Sequence, residues 1–110
     1  MSDATGTLKL FVSSENKGDH RVYDAGNEDR PSVSVRAFRL DDYFADEIPQ
    51  IDLLKMDIQG AEGRAFEGMR GVLGSRPPRA ILTEFWPLGL RRAGSDPGHV
   101  LTLLKESGYS

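Results

Sequence analysis

The sequence predicts an α/β fold built around a strand–helix–strand unit. Three observations support this prediction: the dense apolar run "IDLLKMDI" at 51–58, a helical stripe of apolar residues after Gly60, and a second apolar run, "AILTEF", at 80–85. Continuous apolar runs are typical of parallel strands that are covered on both faces. Because strand–helix–strand connections are right-handed in nearly all proteins, the two strands should run parallel in one sheet.

Two further strands and a helical turn are predicted before this unit. "LKLFVS" at 8–13 is rich in strand-forming residues, and "SVSVRAFRL" at 32–40 alternates with period two, as a half-buried strand does. The residues at 14–31 are rich in Gly, Asn, Asp and charge, which indicates a loop, with a short strand around 21–23 left open. The acidic pair of "LDDYF" then has the character of a helix cap, and Pro49 ends that helical turn.

Two longer helices are predicted in the second half of the chain. The stripe after Gly60 predicts one helix over 61–73, which Gly74 and the following proline pair should end. Asp96 followed by Pro97 is the amino-terminal signature of a final helix, which Gly108 should close. The residues predicted to face inward on this final helix are Val100, Leu101 and Leu104.

Composition restricts the class of protein. The length of 110 residues predicts one domain with a modest core. The net charge of -3 leaves no surplus of basic residues for binding nucleic acid. No apolar run approaches the roughly 20 residues that span a bilayer, and the start lacks a signal peptide, so a cytoplasmic protein without a membrane partner is expected. The absence of cysteine excludes disulfides, thiolate metal ligands and Cys nucleophiles.

Polar side chains interrupt the two apolar runs near their carboxyl ends. Asp57 and Gln59 come at the end of the first run, and Glu84 and Trp86 at the end of the second. Ligands of open α/β sheets bind outside the carboxyl ends of the strands, so these residues should meet at one rim. Lys55 shares a strand face with Asp57 because side chains alternate along a strand. The sequence therefore predicts a ligand site at this rim.

Structural interpretations of the same residues remain open. Asp57 could cap the turn that follows it, with Lys55 joined to it in a buried ion pair. Phe85 and Trp86 could close the second strand by aromatic packing instead of facing a ligand. His20, in "NKGDHR", could be an ordinary loop histidine or an acid–base group.

Three segments, "LDDYF", "IDLLKMDIQGAE" and "ILTEFWPLGLRRAG", resemble the FkbM-like methyltransferase family. The family pattern at the first apolar strand reads (I/V)-D-hydrophobic-hydrophobic-K-hydrophobic-D-hydrophobic-(E/Q)-G-A-E. The chain matches its specified positions at Ile51, Asp52, Lys55, Asp57, Gln59, Gly60, Ala61 and Glu62. The resemblance extends over residues 8–109, and "ENKGDHRVYD" is similar to a loop found in a subgroup of the family.

This resemblance implies a partial Rossmann-like methyltransferase sheet with a central βαβ unit and flanking helices. It also implies transfer of a methyl group from S-adenosylmethionine to a small-molecule acceptor, typically at a hydroxyl oxygen, with a carboxylate taking the acceptor's proton. The catalytic candidates are Asp57, Glu84, Lys55 and His20. The cofactor-binding candidates are Asp57, Gln59 and Gly60. Substrate-binding candidates are Trp86, Phe85 and Arg91, although an aromatic strand end and a solvated arginine would explain those three equally well.

No metal-ligand spacing identifies a metal site, although a cation between Asp57 and Glu84 is compatible with the sequence. The chain also departs from the family pattern, because it has no first strand with a glycine-rich turn and no strand ending in an acid for the ribose. Its glycines at 68, 71 and 74 fall within and after a helix, the wrong context for a nucleotide turn.

Residues 1–110 are therefore expected to be the carboxyl-proximal part of a methyltransferase domain. Such a chain should bind S-adenosylmethionine poorly or not at all, and its unpaired sheet edges predict a homodimer. Two other function classes stay open. One is a non-catalytic oligomeric binding or interaction module, and the other is a nucleotide-phosphate binder that uses the helix after Gly60.

Overall fold

The computed structural model describes residues 1–11 and 32–110 of the chain. Within these ranges it forms strands and helices in mixed order, which confirms the predicted α/β class. The strands are β1 (Gly6–Phe11), β2 (Ser32–Ala37), β3 (Leu53–Met56) and β4 (Ala80–Thr83). The helices are α1 (Leu40–Tyr43), α2 (Glu62–Glu67), α3 (Arg70–Ser75), α4 (Pro87–Arg92) and α5 (Pro97–Glu106). The loop predicted at 14–31, with His20, lies outside the described residues.

The predicted βαβ unit is present. β3 and β4 are hydrogen-bonded in parallel, with Leu53 opposite Ala80 and Met56 opposite Thr83, and α2 and α3 form the crossover between them. One backbone bond continues the pairing beyond the strands, from the Glu84 amide to the Met56 carbonyl at 3.3 Å. The carboxyl ends of both strands therefore lie at the same edge of the sheet.

A separate antiparallel sheet is formed by β1 and β2, in register from Gly6 opposite Ala37 to Phe11 opposite Ser32. Both described sheets have two strands, so the sheet is incomplete, as predicted. Ala37 is buried, but Val33 is 49% exposed, so the half-buried character predicted for this strand is wrong at the Val33 end of β2. The reason is that β2 contributes no residue to the described core, whose buried members lie on β3, on the helices α2 to α5 and at Met69.

The single helix predicted over 61–73 is wrong, because the chain forms α2 and α3 with a break at Gly68 and Met69. The Asp41 amide donates to the Gly68 carbonyl at 3.0 Å, which removes that carbonyl from the helical pattern. The Asp41 carboxylate then accepts the amides of Gly71 at 2.8 Å and Val72 at 2.9 Å. A side chain that satisfies free amides at a helix start is a cap, so α3 begins anew there.

Asp41 was predicted to cap its own helical turn, and that prediction is wrong. Arg39 is the residue before α1, and no side chain caps this helix. The carboxylate of Asp41 serves α3 instead, 30 residues further along the chain.

The hydrophobic core lies between β3 and the helices that follow it. Its buried members are Met56, Ala65, Phe66, Met69, Val72, Leu73, Leu90 and Val100. On α5 the predicted cap is confirmed, since the Asp96 carboxylate accepts the Gly98 amide at 3.0 Å. Val100 is buried as predicted, but Leu101 is 51% exposed, because it is turned about 100° from Val100 around the helix.

One face of the parallel pair is open, contrary to the prediction that both apolar runs are covered on two faces. Leu53 on β3 is 59% exposed and Leu82 on β4 is 58% exposed, whereas Met56 is buried. The described helices cover the Met56 face only. Lys55, opposite Leu82 in the register, shares the open face.

Helix α4 was not predicted, because "PLGLRR" is too short to show a helical period. Pro87 occupies its first turn, where the missing N–H of proline carries no penalty. None of the described helices combines the length and apolar character needed to cross a membrane.

A charged cluster on the surface joins α2 to α5. Glu67 lies 2.7 Å from His99 Nε2 through one carboxylate oxygen and 2.6 Å from Arg70 Nε through the other. The hydrogen bond from Arg70 is the main cause that lowers the pKa of the Glu67 carboxyl, and partial burial opposes it.

Candidate active site at the carboxyl ends of the parallel strands

An open cleft of about 340 Å³ lies at the carboxyl ends of β3 and β4. A volume of this order falls at the small end of the range of ligand sites. Its lining residues are Lys55, Met56, Asp57, Gln59, Leu82, Thr83 and Glu84. The parallel pairing of the strands is what brings residues of the two apolar runs together here.

The acidic residues at the two strand ends meet in this cleft. Carboxylate oxygens of Asp57, Glu84 and Glu62 all lie within 4.8 Å of one another. Asp57 and Glu84 are exposed, whereas Glu62 is only 2% exposed. The two strand-end carboxylates predicted to share one rim therefore do so, while their chemical roles stay predictions.

Asp57 is held by its neighbour Gln59 and not by Lys55. The side-chain amide of Gln59 donates to Asp57 Oδ1 at 3.0 Å. Asp57 and Lys55 are both exposed, and no ion pair joins them in the described part of the chain. The interpretation of these two residues as a buried structural ion pair is therefore wrong. Lys55 is instead an exposed positive charge in the wall of an acidic cleft.

Glu62 is the site residue that the sequence interpretation did not single out. Its carboxylate accepts the backbone amides of Ile58 at 3.0 Å and Gly60 at 2.8 Å. Glu62 therefore satisfies amides of the turn for which Asp57 was a possible cap. Asp57 makes no bond to the start of α2 in the described chain, and Ala61 at that position offers no side-chain cap. The signal in the sequence was the final Glu of the motif "DIQGAE", whose contacts cannot be read from the pattern.

The three carboxylates offer oxygen ligands of the kind that hard cations prefer. However, both Glu62 oxygens already accept backbone amides, and exposed acidic groups commonly lie together without an ion. The cluster alone therefore does not define a metal centre. What it does define is a cleft with negative potential, which favours a positively charged group of a ligand.

Four other predicted site residues that the structure describes, Gly60, Phe85, Trp86 and Arg91, are not among the lining residues of the cleft. Gly60 is buried, and its amide donates to the Glu62 carboxylate. Phe85 is 43% exposed, and Trp86 precedes α4 with its ring packed on Gly89. Arg91 is exposed in the last turn of α4. Their proposed roles with cofactor and substrate stay predictions, as does that of His20, which lies outside the described residues.

The carboxyl ends of parallel strands are where ligands of open α/β sheets usually bind, so this cleft of an α/β domain is a candidate ligand site. The family model of the methyltransferase FkbM domain matches residues 2–110. The chain therefore belongs to the FkbM methyltransferase domain family. No curated protein and no solved structure matches the sequence.

Proposed function

We propose that this chain is the carboxyl-proximal part of a methyltransferase that moves a methyl group from S-adenosylmethionine to a hydroxyl oxygen of a small molecule. The observation that supports this proposal is the meeting of Asp57 and Glu84 in an open cleft of a chain from a methyltransferase family. The cleft provides a carboxylate base beside a space for an acceptor.

The residues of the cleft fit the charged end of this cofactor. When bound, S-adenosylmethionine supplies a methyl group on a positively charged sulfur, which leaves as a neutral thioether. Asp57 and Glu84 attract such a cation, because opposite charges a few ångströms apart attract, although solvent screens exposed carboxylates. Lys55 on the same wall limits the net charge and offers a donor to an acceptor oxygen.

Asp57 is the base in this proposal. The acceptor hydroxyl gives its proton to the Asp57 carboxylate as its oxygen gains the methyl group, so the ether product leaves uncharged. Gln59 holds one oxygen of Asp57 at 3.0 Å, which leaves the other oxygen to face the acceptor. Positioning of the acceptor hydroxyl against this base and the methyl group adds to the rate.

We further propose that the 110-residue chain alone binds S-adenosylmethionine weakly or not at all. Neither strand of the described parallel pair leads into the glycine-rich turn that begins the cofactor site of this fold. β3 leads instead into a tight turn whose Gly60 amide is already bonded to Glu62.

Extension of the chain by the coding sequence upstream of Met1 tests the enzyme proposal. The extended protein should transfer a labelled methyl group from S-adenosylmethionine to hydroxyl acceptors, whereas the 110-residue chain should not. Asp57→Asn should lower the rate of the extended protein by about 100-fold or more, because loss of a positioned base costs that much. The measurement is the rate of label transfer from S-adenosylmethionine.

Asp52→Asn is the matched control, since Asp52 is an exposed aspartate just before β3 whose ion pair is with Arg79. It should leave the rate within about twofold, as expected for a change at an exposed ion pair. Equal losses in the two variants would remove Asp57 from the role of base. Micromolar affinity of the 110-residue chain for S-adenosylmethionine, measured by isothermal titration, would contradict the second proposal.

A second candidate function, a self-associating module without catalysis, is favoured by the open face of the parallel pair. Parallel sheets are nearly always covered on both faces, yet Leu53 and Leu82 are more than half exposed here. The outer edges of β3 and β4 are also unpaired in the described chain, and such edges recruit further strands. We propose a homodimer that covers these edges and this face.

Light scattering at high protein concentration tests the homodimer. The wild-type chain should have twice the monomer mass, and Leu82→Asp should reduce it to the monomer mass, because a charge at the buried interface is costly. Val33→Asp is the control, since Val33 is similarly exposed but lies on the other sheet. A monomeric wild-type chain, or equal dissociation of both variants, would count against the proposed interface.

A further inference from the structure

The turn between β3 and α2 has an unusual backbone. Gln59 has φ 53° and Gly60 has φ 100°, and the Ala61 amide donates to the Ile58 carbonyl at 3.3 Å. Positive φ at both central residues is the signature of a type I′ turn, which normally places Gly, Asn or Asp there. Gln59 is the only described non-glycine residue with positive φ. Such a conformation persists only where the surrounding structure enforces it.

The carboxylate of Glu62 supplies that enforcement from within the protein. One oxygen accepts the amide before Gln59, from Ile58 at 3.0 Å, and the other accepts the amide after it, from Gly60 at 2.8 Å. A residue whose two neighbouring amides are fixed to one buried carboxylate cannot rotate its own backbone freely. Bonds to an ionised acceptor are also stronger than those between neutral groups.

We infer that Glu62 is a positioning residue of the cleft. By fixing the backbone of Gln59, it holds the Gln59 side-chain amide on Asp57 Oδ1 at 3.0 Å and so orients the proposed base. This inference rests on the proposed function only for the role of Asp57. The contacts of Glu62 with the turn do not depend on it.

A purely space-filling role does not explain a carboxylate at this position. Burial of a charged group is costly, and Asp57 and Glu84 lie close to Glu62 with the same charge. An apolar side chain of similar length would fill the space without that cost. The two backbone amides are the described groups that compensate the burial.

Amide hydrogen exchange of the 110-residue chain, followed by NMR, tests the inference without any ligand. Glu62→Gln keeps the size of the side chain but replaces one acceptor oxygen by an NH2 group, which cannot accept. The amide that faces the NH2 group, of Ile58 or of Gly60, should therefore exchange about tenfold faster or more, as expected for loss of a bond to a charged group. The other amide should exchange faster too, because its acceptor is no longer charged. The Leu73 amide, bonded to Met69 in the core at 2.9 Å, should keep its rate.

Glu67→Gln is the matched control, since Glu67 is on the same helix but has its contacts at the surface with Arg70 and His99. It should leave the Ile58 and Gly60 amides unchanged. An equal increase at Leu73 and at the turn in Glu62→Gln would mean that Glu62 acts only on global stability, and would overturn the inference.

If Glu62→Gln does not fold, the wild-type chain still decides the question. Exchange of the Gly60 amide at the rate of an unprotected peptide would show that no bond to Glu62 exists, and would overturn the inference. A different result would reject the proposed function alone. If both amides are protected but Asp57→Asn does not slow methyl transfer by the extended protein, Glu62 still holds the turn, and only the role of Asp57 as base is wrong.

Discussion

Phe66→Ala should lower the free energy of unfolding by about 3–5 kcal/mol, the range found when a fully buried phenylalanine is truncated. Phe66 has no exposed surface and lies in the core cluster with Met56 and Leu90. Removal of its ring leaves a cavity between α2 and the parallel strands that neighbouring side chains fill only in part. Urea unfolding followed by circular dichroism measures the loss.

Phe38→Ala is the matched control for this change. Phe38 is 38% exposed, and its main described ring contact is with Tyr43, at 5.8 Å between centroids. Its truncation should cost about 1 kcal/mol, because little area and one aromatic pair are lost. If Phe66→Ala leaves too little folded protein to measure, the free energy of unfolding of Phe66→Leu can be compared with that of Phe38→Ala, because leucine leaves a smaller cavity. Equal effects at positions 66 and 38 would contradict the placement of the core.

Gly60→Ala should lower the free energy of unfolding by about 2 kcal/mol or more. The positive φ of Gly60, 100°, costs an alanine about 1–2 kcal/mol. An added side-chain carbon would also lie 2.7 Å from the carbonyl oxygen of Gly89, at the start of α4. Because that neighbour is backbone, no rotamer change relieves the contact, and the turn or the helix must move.

Two other glycines separate these two causes. Gly108 has φ 99° with open space around it, so Gly108→Ala should cost only the backbone term of about 1–2 kcal/mol. Gly74 lies in α3 with neither restriction, and Gly74→Ala should be neutral or stabilise by up to about 1 kcal/mol. The measurement is again urea unfolding. A Gly60→Ala loss no larger than that of Gly108→Ala would contradict the close approach of the turn to α4.

The parallel unit and its acidic rim could be predicted because they depend on local patterns. Two apolar runs separated by a helical stripe fix the connection, and Asp57 and Glu84 stand where each run ends. The motif match to the methyltransferase family depends on the same contiguous residues, which is why it agrees with the family model over residues 2–110.

The break between α2 and α3 could not be predicted, because its cause lies elsewhere in the chain. The apolar stripe continues through Met69, and only the docking of Asp41 and of the Ser2 backbone against Gly68 shows why the helix stops. The role of Glu62 was hidden for a similar reason, since a pattern gives the type of a residue and not the amides that it accepts.

The open sheet face could not be predicted either. An apolar run indicates that a strand is suited to burial, but it does not say what covers each face. Leu53 and Leu82 have the residue type of covered strands and yet are exposed in the described chain.

The bond between Asp41 and the first amides of α3 also has a consequence for how this chain folds. Helices of four and six residues are far below the length at which an isolated helix forms in water. α3 gains its cap only when a segment 30 residues earlier docks against it, so the short helix and that docking are expected to form together. Local order here is thus a product of the tertiary assembly and not a step that precedes it.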